Sequence, residues 1–330
     1  MVAEKGVSKT KSGRWHYFRW ILLAIIVGSL AGNVYFHRHE FASLRSIDMM
    51  SLFILAILII VFNYLGAIRF SLIYYLAGAK VGTLESFALS LVATMANILF
   101  PGQAGGIVRA AYLKRMHGVT YSKVPAILLG NIVVTLFVGG VVVSCANTFV
   151  ALRGAGVPPI LWAISGCASA SIILFWIRLP RDKFPFRSER LTNILRLFFS
   201  AWEKFMEEKS KLALICICQL LSFFVSGVSA WVAYRALGIH IALVSAVVLM
   251  VTTALLSPIN IVPGNLGVSE VIIAYFSTLF GVSFTYAVIA ALVMRVATYM
   301  ITLPLGLICY LFLSQKTDLN LFQKRRKISQ

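Results

Sequence analysis

Residues 86–113 read SFALSLVATMANILFPGQAGGIVRAAYL, an apolar stretch cut by Pro101-Gly102 that resumes only briefly, from Ile107 to Leu113. Proline removes a backbone donor and ends the arm before it, and glycine permits a tight reversal and close approach of backbones. A second apolar stretch, Ile241 to Val262, is broken in the same way at Pro263-Gly264 and resumes from Val268 to Phe280. Pro101-Gly102-Gln103-Ala104-Gly105 matches Pro263-Gly264-Asn265-Leu266-Gly267 in register. Downstream, Gly118-Val119 matches Gly281-Val282, each ahead of a long closing run. Two broken helices in one register point to an internal repeat whose halves meet near the midplane of a bilayer.

Composition requires that bilayer. Of 330 residues 60% are hydrophobic and only 12% charged, and the mean hydropathy is +0.89. A soluble domain of this length cannot hide so much apolar surface. Full-length apolar runs fall at Tyr17 to Phe36, Met49 to Leu76, Val124 to Val150, Pro158 to Ile177, Leu212 to Tyr234 and Phe284 to Leu313. Each is long enough to cross a hydrocarbon core of about 30 Å. The expected fold is therefore an all-α polytopic membrane protein, one integral domain over 1–330, with about six full spans and two broken or re-entrant helical hairpins. Residues 49–150 and 212–313 form its two repeats. The N-terminal run follows a basic segment, as a signal peptide would, but the polytopic remainder favours an uncleaved first span.

The formal net charge is +19, and the basic residues sit between the apolar runs. That placement fits the positive-inside rule and anionic lipid head groups, and gives no reason to expect nucleic-acid binding. Gaps at 1–19, 114–123, 178–211 and 314–330 are rich in Lys and Arg, whereas 37–48, 151–157 and 235–240 carry few. Placing the rich set in the cytoplasm puts both termini inside. The first broken segment then enters from the cytoplasm and the second from outside, as in an inverted-topology repeat. Within the 178–211 linker, Leu191, Ile194, Leu195, Phe198, Trp202 and Phe205 recur at helical spacing, which predicts an amphipathic helix lying on the cytoplasmic leaflet or packed on the protein. The tail, 314–330, ends in the basic cluster Lys324-Arg325-Arg326-Lys327.

Four charged residues fall inside the apolar segments: Arg69, Arg109, Glu270 and Arg295. Each costs about 2.5–3.5 kcal/mol at the bilayer centre on insertion scales, so each needs a partner or a task. Arg109 and Glu270 follow their breaks at nearly matching distances and could pair, with Arg295 competing for Glu270. Alternatively, some of the arginines receive an anionic substrate group such as a lipid phosphate, which the planar guanidinium suits. Asn97, Gln103, Asn260 and Asn265 flank the breaks and are placed to satisfy freed backbone groups or to touch substrate. Glu85 and Lys80 read as interfacial loop charges. The cysteines Cys145, Cys167, Cys216, Cys218 and Cys309 lie in apolar runs without disulfide or zinc spacing. No metal cluster, cofactor motif or set of acid, base and nucleophile is expected.

Arg69, the stretch NILFPGQAGGIVR from Asn97 to Arg109, PGNLGVSE from Pro263 to Glu270, and Arg295 together resemble the lysylphosphatidylglycerol synthase transmembrane-region family, also called flippase-like domain proteins. The resemblance implies a prokaryotic cytoplasmic membrane and lipid or lipid-linked substrates. The family includes the membrane half of the multiple peptide resistance factor, which moves aminoacylated phospholipids between leaflets. This chain departs from the family's usual Pro-Gly-Arg-Ala-Gly-Glu, having Gln103 and Gly106 at the charged places. The aminoacyltransferase domain of full synthases is expected to be absent, and lysyltransferase activity with it. Three readings follow: a translocase of an anionic phospholipid or lipid-linked intermediate, a non-catalytic membrane partner of a separate glycosyl- or aminoacyltransferase, and a secondary transporter of a small anion.

Overall fold

The computed structural model describes residues 48–76, 78–100, 104–120, 124–154, 156–172, 207–257 and 265–328. The expected first span, the linker helix at 191–205, and Pro101, Gly102, Gln103, Asn260, Pro263 and Gly264 lie outside the described residues. Among the described residues the protein is entirely helical. The α-helices are α1 (Met49–Leu76), α2 (Thr83–Leu99), α3 (Ala104–His117), α4 (Val124–Leu152), α5 (Pro159–Ser169), α6 (Lys209–Ala236), α7 (Leu243–Leu256), α8 (Val268–Thr278) and α9 (Phe284–Ile328). A 3-10 turn, Ala170–Ile172, extends α5.

Among the described residues four segments are long and apolar enough to cross a membrane: Met49–Leu76, Leu128–Leu152, Lys209–Ala236 and Phe284–Lys316. Their large apolar side chains are exposed in rows, among them Phe53, Ile57 and Phe62 on α1, Ile217, Leu221 and Phe224 on α6, and Leu307 and Leu311 on α9. Such rows are untenable in water and natural against acyl chains. The last apolar span, Phe284–Lys316, ends close to the expected Leu313, and its helix runs on beyond the span to Ile328.

The core is built from helical hairpins. α1 turns back into α2 and α6 into α7, and each turn uses the same device. Gly78 (φ 90°) and Gly238 (φ 75°) take the left-handed conformation just past the helix ends. The next amide in each turn then donates back to the carbonyl of a fully buried tyrosine, Ala79 to Tyr74 at 2.8 Å and Ile239 to Tyr234 at 3.0 Å. α1 packs along α6, with Lys211 over the Tyr75 ring at 4.0 Å and Cys218 beside Arg69. As α6 advances its contacts move back along α1, so the two helices run antiparallel. Beyond this central pair the packing is exchanged: α2 lies on α9, and α7 lies on α4.

Close approach is set by glycines where these helices meet. A Cβ on Gly227 would strike Val247, and one on Gly105 would strike the Ala93 carbonyl oxygen of α2. Gly105→Ala is therefore expected to force α3 away from α2 at a cost of about 1–3 kcal/mol. Gly66→Ala, which meets nothing within 4 Å, should be neutral or slightly stabilising. Thermal unfolding of the two variants in detergent checks the contrast.

Candidate functional site

The first broken segment is anchored by its own polar side chains. α2 ends at Leu99, and Phe100 is extended (φ −122°, ψ 145°), the conformation favoured before the proline at 101. Across the break, the Gly105 N–H donates to Asn97 Oδ1 at 2.7 Å. One backbone donor freed at the start of α3 thus finds a side-chain acceptor, as the low-dielectric surroundings demand. α3 is thereby held against α2, and Arg109, about one turn further on, is buried.

Arg109 meets α1. Its Nη1 donates to the hydroxyl of Tyr74 at 3.3 Å, and its guanidinium carbon lies 3.7 Å from the Phe70 ring centroid. Arg69 approaches the same ring at 5.6 Å. The Arg69 Nε is buried without a hydrogen-bond partner among the described residues. The two arginines lie within each other's field, and neither has an ion pair with a carboxylate among the described residues. The quadrupole of Phe70 offsets part of this repulsion and no more.

The second broken segment solves its backbone problem with a charge. The Gly267 N–H donates to Glu270 Oε2 at 2.8 Å, and Glu270 Oε1 forms an ion pair with Arg295 Nε. Arg295 also donates from Nη2 to the Asn265 carbonyl oxygen at 3.3 Å and from Nη1 to the Tyr299 hydroxyl at 3.5 Å. Asn265 (φ 53°) donates from Nδ2 to Ser269 Oγ at 3.0 Å. Its own Oδ1 is buried without a partner among the described residues.

The structure separates the four membrane charges into two groups. Arg109 does not meet Glu270; Arg295, carried one helix later on α9, takes that carboxylate. No hydrogen bond or ion pair joins the two groups among the described residues. Asn97 and Asn265 sit beside their breaks as expected. Glu85 differs from its reading as a loop charge. It stands in the first turn of α2, where Oε1 accepts from Tyr112 at 2.6 Å and meets His117 Nε2 at 2.9 Å, while Oε2 meets Lys316 Nζ at 2.8 Å. This one carboxylate ties α2, α3 and α9 together at a single end of the bundle.

Tyr74 and Phe70 were not legible as site residues, yet they shape the arginine group. One signal was available: Tyr74 to Gly78 and Tyr234 to Gly238 share a Tyr-x-x-x-Gly spacing. In the second half of the chain, Tyr234 likewise reaches a helix beyond its own hairpin, α8, its hydroxyl 2.6 Å from Ser277 Oγ.

Glu270 is almost wholly buried, and removing one member of a buried pair strands the other. Glu270→Ala is expected to cost about 3–5 kcal/mol, and pairing it with Arg295→Met should recover much of that loss. A double-mutant cycle on thermal unfolding measures the coupling. Additive losses would show that the pair does not act as one unit.

No curated protein and no solved structure matches the chain. The family described as "Lysylphosphatidylglycerol synthase TM region" matches residues 19–306. Those residues include every described element through the Glu270–Arg295 pair. The protein is a multi-pass membrane protein and belongs to the lysylphosphatidylglycerol synthase transmembrane-region family.

Proposed function

We propose that this protein is a flippase-like translocase of an anionic phospholipid or lipid-linked intermediate, with Arg69 and Arg109 receiving the anionic head group. The observation that carries the reading is their unbalanced charge. Of the four charges that fall inside the apolar segments three are arginines and one is Glu270, and Arg295 pairs with that glutamate. Among the described residues the buried Arg109 and the half-buried Arg69 are left with aromatic and hydroxyl neighbours. Such residues inside a membrane ordinarily mark a substrate path.

In this reading the chain has six full spans and two broken hairpins, and residues 49–150 and 212–313 are inverted repeats. The antiparallel α1–α6 core, the matching tyrosine turns and the exchanged packing of α2 on α9 and α7 on α4 support that arrangement. Both termini, the 178–211 linker and the tail lie in the cytoplasm of a prokaryotic inner membrane. The Glu85 cluster supports the shared sidedness, because it joins the α2 start, the α3 end and Lys316, all assigned to one face by charge.

Arg109→Gln and Arg69→Gln should each lower leaflet transfer of a fluorescent phosphatidylglycerol in proteoliposomes by about ten-fold or more, a loss of about 1.4 kcal/mol in the transfer barrier. Melting temperatures should stay near that of the parent. Full transfer by both folded variants would falsify the assignment.

A second reading, a membrane partner for a separate transferase, is favoured by the length of α9. Its 45 residues extend about 67 Å at 1.5 Å per residue, against a hydrocarbon core of about 30 Å. A transferase that co-purifies with the chain and is lost on removing residues 317–328 would support it. Unchanged recovery of the enzyme would argue that α9 is not the docking element.

A further inference from the structure

We propose that the Arg69–Arg109 site prefers a head group bearing two negative charges, a phosphate monoester or a diphosphate ester, over a monoanionic diester or a cationic aminoacylated head group. The proposal rests on the reading that this site receives the lipid's polar group, and it concerns which charge class fits.

The first argument is charge balance. Glu270 neutralises Arg295 within its own half, so the residual charge belongs to Arg69 and Arg109. A monoanion leaves one guanidinium uncompensated in a medium where that is costly, whereas a dianion cancels both. The second argument is reach. Both guanidinium carbons lie against the Phe70 ring, at 5.6 and 3.7 Å from its centroid, so they are no farther apart than the sum of those distances. Two phosphoryl groups, or one with three free oxygens, present acceptors to two planar forks at once. The unpartnered Arg69 Nε and the Tyr74 hydroxyl supply donors on either side.

The third argument concerns what a cationic head group would need, namely a free carboxylate. The half-buried Glu85 and the buried Glu270 are both engaged. Glu85 is held by Tyr112, His117 and Lys316, and Glu270 by Arg295 and the Gly267 amide. Of the eleven acidic residues, Asp48, Glu207 and Glu208 flank helix starts, and Asp318 lies in the tail. Glu4, Glu40, Asp182, Glu189 and Glu203 belong to the polar gaps between apolar runs. No acid is left among the described residues to receive a lysyl ammonium at this site.

The test uses the full chain in neutral detergent, with dissociation constants read by native mass spectrometry. Farnesyl diphosphate and phosphatidic acid should bind about ten-fold or more tightly than phosphatidylglycerol, the equivalent of about 1.4 kcal/mol, and lysyl-phosphatidylglycerol more weakly still. Arg69→Gln should lower farnesyl diphosphate affinity about ten-fold, and Arg69→Lys should restore part of it. Inorganic diphosphate should compete only at higher concentration, because it lacks the buried isoprenoid. Tighter binding of inorganic diphosphate than of the lipid would assign the site to a soluble anion and overturn the proposal. Equal or tighter binding of phosphatidylglycerol or its lysyl ester would also overturn it, as would indifference to both Arg69→Gln and Arg109→Gln. Because binding is read without leaflet transfer, the two ideas fail separately. A chain that binds diphosphates yet moves no lipid sinks the translocase reading alone. One that transfers phosphatidylglycerol while ignoring diphosphates sinks only the charge class.

Discussion

A charge in hydrocarbon has no water to fall back on, so the partner of each buried charge decides how the helices around it are arranged. In this protein the ion pair between Glu270 and Arg295 is that fixed point. It joins the start of α8 to the first third of α9, and through Gly267 it also completes the backbone at the second break. Arg295 reaches on to the Asn265 carbonyl, so the backbone on both sides of Gly267 is organised by a single side chain and its counter-ion. The arginines on α1 and α3 are conspicuous because nothing comparable among the described residues answers them.

The two breaks face one problem and solve it differently. Gly105 and Gly267 each stand four residues after a proline, and each presents an amide that a side chain answers. The Gly105 amide is answered by the neutral carbonyl of Asn97, and the Gly267 amide by the ionised carboxylate of Glu270. An ionised acceptor requires a cation nearby, which accounts for Arg295. A neutral acceptor requires none, so Arg109 is not drawn to its own break and turns instead to Tyr74 and Phe70. The charge asymmetry between the halves thus follows from one amide-versus-carboxylate choice.

Much of this was open to inspection in the amino-acid order, and the reasons for the exceptions are physical. Apolar length located α1 to the residue, because a run of 28 residues without a breaker leaves no other choice. Pro101 placed the end of α2 for the same local reason. The identity of the Glu270 partner was not decidable from spacing, since Arg109 and Arg295 both stood at reasonable separations and only packing of α8 on α9 selects between them. Glu85 was misread because the donors that bury it come from positions as distant as Lys316, which no local pattern reports. Lys324 to Lys327 read as the basic cluster of a tail, with no sign of its backbone because charge density conceals helix continuity; the backbone of α9 runs on through them.

The departure of this chain from its family's usual motif bears directly on the unanswered arginines. Where the family commonly has a glutamate, this chain has Gly106, three residues before Arg109 and so on the same side of α3. A glutamate there would be the nearest possible counter-ion to Arg109, at a spacing where helical ion pairs form readily. Its replacement by glycine leaves space bounded by the Leu128 side chain of α4, at 3.4 Å from where a Cβ would stand. The neutral residue therefore removes the one local acid and puts apolar surface in its place. The same departure puts Gln103 in the place of the motif's arginine, so the net charge of the stretch is unchanged, but Arg109 is left with no acid one turn before it and with a demand for a counter-charge from elsewhere. That demand is the physical basis for expecting an anion to complete it.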